Sequence, residues 1–88
     1  MNYTIVEAIG EGAAAISFSA RDSKGNTVLI KRFKTALIGD SEQYWMRETE
    51  LLKSISHPQI PRYINHYVEQ VEGRRLAHLV QEFVDGER

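Results

Sequence analysis

The sequence predicts an α+β domain, a five-stranded antiparallel sheet with one packed helix in the order βββαββ. Short runs of alternating apolar and polar residues, bounded by glycine, asparagine and aspartate turns, supply the strands. Between the third and fourth runs the apolar spacing lengthens to that of a helix. The chain has 88 residues, 42% of them apolar and 26% charged, the composition of an ordinary globular protein. That length allows a single domain, residues 1–88, which buries only about 60–65% of the surface its unfolded chain exposes.

Tyr3 to Ile9 is rich in β-formers and leads straight into Gly10. Ala15 to Arg21 alternates, with Ile16, Phe18 and Ala20 on one face and Ala15, Ser17, Ser19 and Arg21 on the other, so Gly10 and Gly12 make the turn between two strands. Asp22-Ser23-Lys24-Gly25-Asn26 has the chemistry of a second tight turn. The third strand, about Thr27 to Phe33, sends Val28, Ile30 and Arg32 to one face and Leu29, Lys31 and Phe33 to the other. Asp40 and Gln43 form a capping box for a helix from about Ser41 to Ile55. On that helix Tyr44, Glu48, Leu51, Leu52 and Ile55 share a stripe, and His57-Pro58 ends it. Strands from about Tyr63 to Glu69 and Leu76 to Phe83, joined at Glu72-Gly73-Arg74, complete the sheet.

Composition removes several function classes. A net charge of −1 gives no electrostatic reason to expect nucleic acid or an anionic membrane. The basic cluster Lys31-Arg32-Phe33-Lys34 reads as alternating charges along a strand. With no cysteine there are neither disulfides nor thiolate metal ligands, and His57, His66 and His78 lack ligand spacing, so no metal site is expected. The N-terminus has no signal-peptide pattern and no apolar stretch reaches the roughly 20 residues of a membrane span, so a cytoplasmic protein is expected.

Three features carry chemistry. Gly10-Glu11-Gly12 is a phosphate-cradling turn or a plain hairpin turn, and the strand pattern after it rules out a dinucleotide-binding turn, which needs a helix there. Lys31 ends the apolar run Val28-Leu29-Ile30, where its ammonium meets a partner or reaches solvent. Glu48 interrupts the helical stripe, so it is paired or turned to the rim, because an unpaired carboxylate is costly to bury. A Lys31–Glu48 ion pair satisfies both residues. Turn, strand lysine and helix carboxylate then form an electrostatic clamp for a nucleoside triphosphate.

With these residues the chain resembles the N-terminal lobe of a protein kinase, specifically the eukaryotic-like Ser/Thr kinases of bacteria. Gly10-Glu11-Gly12-Ala13-Ala14-Ala15-Ile16-Ser17 resembles the kinase Gly-rich loop G-x-G-x-x-G-x-V, and Val28-Leu29-Ile30-Lys31 resembles V-A-I-K. Arg47-Glu48 through Leu51-Leu52 and His57-Pro58-Gln59-Ile60-Pro61 look like the αC helix and the turn after it. Leu79 through Gly86 is similar to the fifth strand and hinge, with Gln81 at the gatekeeper position. The resemblance implies that Lys31 and Glu48 serve catalysis and that Gly10, Glu11, Gly12, Ala13, Ala14 and Ala15 cover the phosphates of ATP. It places Ser17 and Leu29 over adenine, and Gln81, Glu82 and Val84 at its edge.

Three positions depart from the pattern. Ala15 replaces the third glycine, Ser17 the apolar roof residue and Leu29 the small alanine, which together reshape the pocket. The sequence also contains neither an H-R-D nor a D-F-G segment, the source of the kinase base and metal ligands. The resemblance therefore implies a lobe that is not catalytic on its own. ATP and Mg would be bound in a full-length parent, with none held tightly by this chain. Its partner would be a C-lobe in that parent, another protein, or a second copy through the exposed cleft face. The alternative is a free-standing kinase-like lobe, a regulatory or protein-binding module.

Overall fold

The computed structural model describes residues 3–53 and 61–83. The elements are β1 (Thr4–Glu11), β2 (Ala15–Arg21), β3 (Thr27–Phe33), α1 (Ser41–Lys53), β4 (Tyr63–Val71) and β5 (Arg74–Glu82), the predicted βββαββ order. The sheet is five-stranded with spatial order β1-β2-β3-β5-β4, and every neighbouring pair is antiparallel. Strand β5 lies between β3 and β4, and Leu76 through Gln81 are buried without a break. A strand covered on both faces reads as such a run, whereas β1, exposed along its whole length, is an edge.

Cross-strand register sorts the side chains into two faces. Ala20 lies opposite Val28 and Ile30 opposite Val80, and these four form a buried core with Tyr3 and Tyr67 packed against it. The other face carries Ser17 opposite Lys31, Lys31 opposite Leu79, Leu29 opposite Gln81 and Leu79 opposite His66. The sheet coils strongly. Tyr3, just before β1, stacks on Tyr67 of β4 with ring centroids 6.0 Å apart, although β1 and β4 are opposite ends of the strand order. Register shifts at Ile5/Glu7 and Ala8/Gly10 add local twist to β1.

Several boundaries differ from the sequence expectation. Strand β1 runs through Gly10 to Glu11, so the turn is made by Gly12 to Ala14 and closed by the Gly12 amide donating to Ala15 O at 2.9 Å. The β4–β5 hairpin is tighter than expected, with Glu72 (φ 52°) and Gly73 (φ 81°) both left-handed, the twist that two-residue hairpins favour. The Asp40 carbonyl accepts the first helical bond, from Tyr44 N at 3.1 Å, but among the described residues no bond joins Asp40 to Gln43 as a capping box. The Ser41 hydroxyl instead closes onto the Ile38 backbone. Ile55, the His57-Pro58 stop and Val84 lie outside the described residues, as does the Leu52 side chain.

The largest correction concerns the face of α1. Tyr44 is 67% and Leu51 60% exposed, and Glu48 is exposed with them. The helix turns Glu42, Trp45 and Thr49 to the sheet, a face at i, i+3 and i+7. Arg75 of β5 grips the Glu42 carboxylate with Nε at 3.1 Å and Nη2 at 2.8 Å, and the Trp45 ring meets His66 of β4 edge-on at 5.2 Å. Thr49 is buried because its hydroxyl donates to Trp45 O at 2.6 Å, which removes the cost of an unsatisfied polar group.

Candidate functional site

The strands place Ser17, Leu29, Lys31 and Gln81 on one face of the sheet, with the glycine turn at the Phe33 end of β3 and Glu82 opposite Val28 at its other end. Lys31 stands half-buried between Ser17 of β2 and Leu79 of β5, two residues along β3 from Leu29. Leu29 has Ser19 directly opposite, so Ser17 is its diagonal neighbour rather than its cross-strand partner. Gln81 is buried beside Leu29 at 7% exposure. Its amide nitrogen donates to Pro61 O at 3.3 Å, and since that carbonyl only accepts, Oε1 faces away and is buried with no hydrogen-bond partner. The Glu82 amide donates to Arg62 O at 2.8 Å.

The glycine turn is held by a residue other than those the motif names. Lys34, just past β3, donates its backbone N–H to Ala14 O at 2.9 Å, and its ammonium lies 2.6 Å from Glu11 Oε2. Both ends of the turn are thus tied to the end of β3. Sequence reasoning leaves Lys34 as one of a row of strand charges. The signal for its role is Glu11, a carboxylate inside a turn expected to receive phosphates, where a counter-charge is needed.

Among the described residues no ion pair joins Lys31 to Glu48. The expected clamp is therefore not the resting arrangement. The cause is the rotation of α1 described above, since burying Trp45 and Thr49 carries Glu48 to the solvent side. Glu48 takes the alternative open to it, the rim of the helix.

Gly10 and Gly12 are the glycines of the predicted turn, and their surroundings show what the fold itself asks of them. Neither has a left-handed φ; a Cβ on Gly10 would meet nothing within 4 Å, and one on Gly12 only Ala15 O at 4.0 Å. The protein's own packing requires glycine at neither position. Their backbone is bare and open to the outside. Among the described residues no three His, Asp or Glu side chains gather to hold a metal ion, and no helix is long and apolar enough to cross a membrane.

Known proteins align with nearly the whole chain. It is 36% identical over 88 residues to a putative cyclin-dependent kinase F-2 of Oryza sativa subsp. japonica, covering 96% of this chain and 27% of the relative. It is 32% identical to the probable serine/threonine-protein kinase YbdM of Bacillus subtilis, covering 97% of this chain and 33% of that one. The chain is a protein-kinase N-lobe. The N-lobe is also 23% identical over 82 residues to the probable serine/threonine-protein kinase glkA of Dictyostelium discoideum, covering 93% of this chain and 16% of the relative. It therefore spans a third or less of the length of these curated relatives. No protein-family model matches the chain.

Proposed function

We propose that this N-lobe is the ATP-binding half of a Ser/Thr protein kinase, working in the cytoplasm with a C-lobe that completes the cleft. The observation that carries the reading is the bare backbone at Gly10 and Gly12, on the same sheet as the half-buried Lys31, which has no ion-pair partner among the described residues. In this reading the turn from Gly10 to Ala15 covers the phosphates and the Lys31 ammonium holds them. Ser17 and Leu29 roof adenine, and Gln81 and Glu82 stand at its edge with Val84. Mg-ATP would supply the phosphoryl group; the described residues offer no metal ligand set, so Mg would be held from elsewhere. The lobe alone has half a cleft, and its expected dissociation constant for Mg-ATP is in the millimolar range, about −4 kcal/mol.

A second reading, a kinase-like regulatory or protein-binding module, is favoured by one observation, the separation of Lys31 from Glu48. Its partner would be another protein or a second copy meeting the cleft face. Titration of the chain with Mg-ATP followed by amide NMR decides between the two. The first reading expects saturable shifts at residues 10–17 and Lys31, lost in Lys31→Met and in Gly10→Val, whose added bulk meets ligand and not protein. Unshifted amides at about 10 mM ATP would leave only the second reading.

A further inference from the structure

The sheet face turned away from Lys31 carries a second set of polar groups that the nucleotide reading does not use. Where the coiled sheet brings β1 toward β4, Tyr3, Ile5, Arg32, Tyr67 and Glu69 line an open cavity of about 170 Å³. The Arg32 guanidinium is fixed in place. Its Nε donates to His78 Nε2 at 3.0 Å and its central carbon lies 5.0 Å from the Phe18 ring centre. Its two Nη groups have no hydrogen-bond or ion-pair partner among the described residues.

Glu69 approaches the same ring nitrogen, its Oε1 3.8 Å from His78 Nε2. That nitrogen already accepts from Arg32 and has no hydrogen left to offer. Arg32 and Glu69 thus line one small cavity with opposite charges and do not pair with each other. Tyr67 lies within reach of both charges, which act on its phenol in opposite directions.

We propose that this cavity binds a small amphoteric molecule of the free α-amino acid type, its carboxylate on the Nη edge of Arg32 and its ammonium on Glu69. A fixed guanidinium edge matches a carboxylate with two parallel hydrogen bonds. A ligand with only a carboxylate meets repulsion from Glu69, and one with only an amine meets it from Arg32, so a molecule carrying both is selected. The apolar body rests on Ile5 and Tyr3. A cavity of this size resembles the roughly 150 Å³ that admits a six-carbon ring, room for a short branched side chain and little more.

The test titrates the 88-residue chain with L-valine, with isovalerate, which lacks the ammonium, and with isobutylamine, which lacks the carboxylate. Saturable amide shifts at Arg32, Tyr67 and Glu69 with L-valine are expected, and binding at least about tenfold weaker for either analogue. Arg32→Gln and Glu69→Gln should each weaken valine by a similar factor. If Arg32→Gln loses its fold with the His78 contact, Glu69→Gln, at an exposed side chain, carries the test alone. Isovalerate binding as tightly as valine, or Glu69→Gln binding it unchanged, would reduce the site to a plain anion contact and overturn the proposal. So would the absence of shifts with L-alanine, L-valine and L-leucine at about 50 mM. ATP binding is read at residues 10–17, so the two sites succeed or fail separately.

Discussion

Arg32 donates its Nε–H to Nε2 of the fully buried His78 at 3.0 Å, and that contact fixes the charge of the imidazole. The other ring nitrogen, Nδ1, lies 3.0 Å from Leu76 O, a pure acceptor, so Nδ1 carries the hydrogen and the ring is neutral. Protonating Nε2 would break the Arg32 bond and set two cations against each other in a dry site. Burial first, and Arg32 second, push the His78 pKa below its ordinary 6.5, with Glu69 and then backbone hydrogen bonds at Leu76 and Tyr67 working the other way.

The folded lobe therefore refuses a proton that the unfolded chain accepts. Stability is fully present above pH 6.5 and declines as pH falls from there toward the lowered value. His66, also lowered, by burial and then by Lys53, contributes with the same sign. Thermal melts from about pH 5 to 7.5 should show the midpoint falling on the acid side. The slope should be shallower in His78→Gln, which retains hydrogen-bonding capacity without the titration. A wild-type midpoint independent of pH would mean that the imidazole charges freely and is not held by Arg32.

The rotation of α1 predicts a reversal of what apolar residue type alone suggests. Trp45→Ala should cost about 1–3 kcal/mol, discounted from the value for a fully buried ring because Trp45 keeps part of its surface in solvent. Tyr44→Ala and Leu51→Ala, at 67% and 60% exposure, should each stay within about 0.5 kcal/mol. Urea unfolding of the three variants checks the order. A costly Leu51→Ala with a mild Trp45→Ala would restore the original stripe.

The strands were legible because period-two alternation leaves a sheet few choices. Ala20, Val28, Ile30 and Val80 meet in the core as their alternation places them. The phase of the helix was harder to read. Tyr44, Leu51 and Leu52 form an apolar set, but a tryptophan edge on His66 and an arginine fork on Glu42 decide the rotation, and both partners are distant in sequence. Thr49 gave no signal of burial, because its hydroxyl is silenced by a backbone bond that composition does not reveal. Lys31 and Gln81 could be placed on their strands from the alternation, whereas the turn falls at Gly12 to Ala14 because β1 runs on through Gly10 and Glu11. The link from Glu11 to Lys34 could not be placed in this way, because it depends on where the turn closes.

That link should order the turn without doing much for global stability. Its side chains are 35% and 63% exposed, and pairs of this kind contribute about 0.2–1 kcal/mol, less at high salt. Lys34→Ala should lower stability by no more than that. It should nevertheless speed hydrogen exchange at the amides of Gly12 and Lys34, whose bonds close the turn. Glu11→Gln should act in the same direction. Unchanged exchange in both variants would show that the backbone bonds alone hold the turn.

Lys31 and Glu48 should behave as independent residues in the resting lobe. Glu48 is exposed, and among the described residues no ion pair connects the two. A double-mutant cycle on stability, using Lys31→Met and Glu48→Gln, should give a coupling energy below about 0.5 kcal/mol. Breaking a buried pair costs several times more, typically about 3–5 kcal/mol, so the outcomes are well separated. The same variants divide the roles in nucleotide binding. Lys31→Met removes the charge that would hold the phosphates and should weaken Mg-ATP, whereas Glu48→Gln should leave its affinity unchanged so long as α1 keeps Trp45 and Thr49 against the sheet. A coupling above about 1 kcal/mol would show that the helix rotates in solution to bring Glu48 to Lys31. Trp45 would then have to leave His66, and Trp45→Ala, freed of that anchor, should strengthen the coupling further.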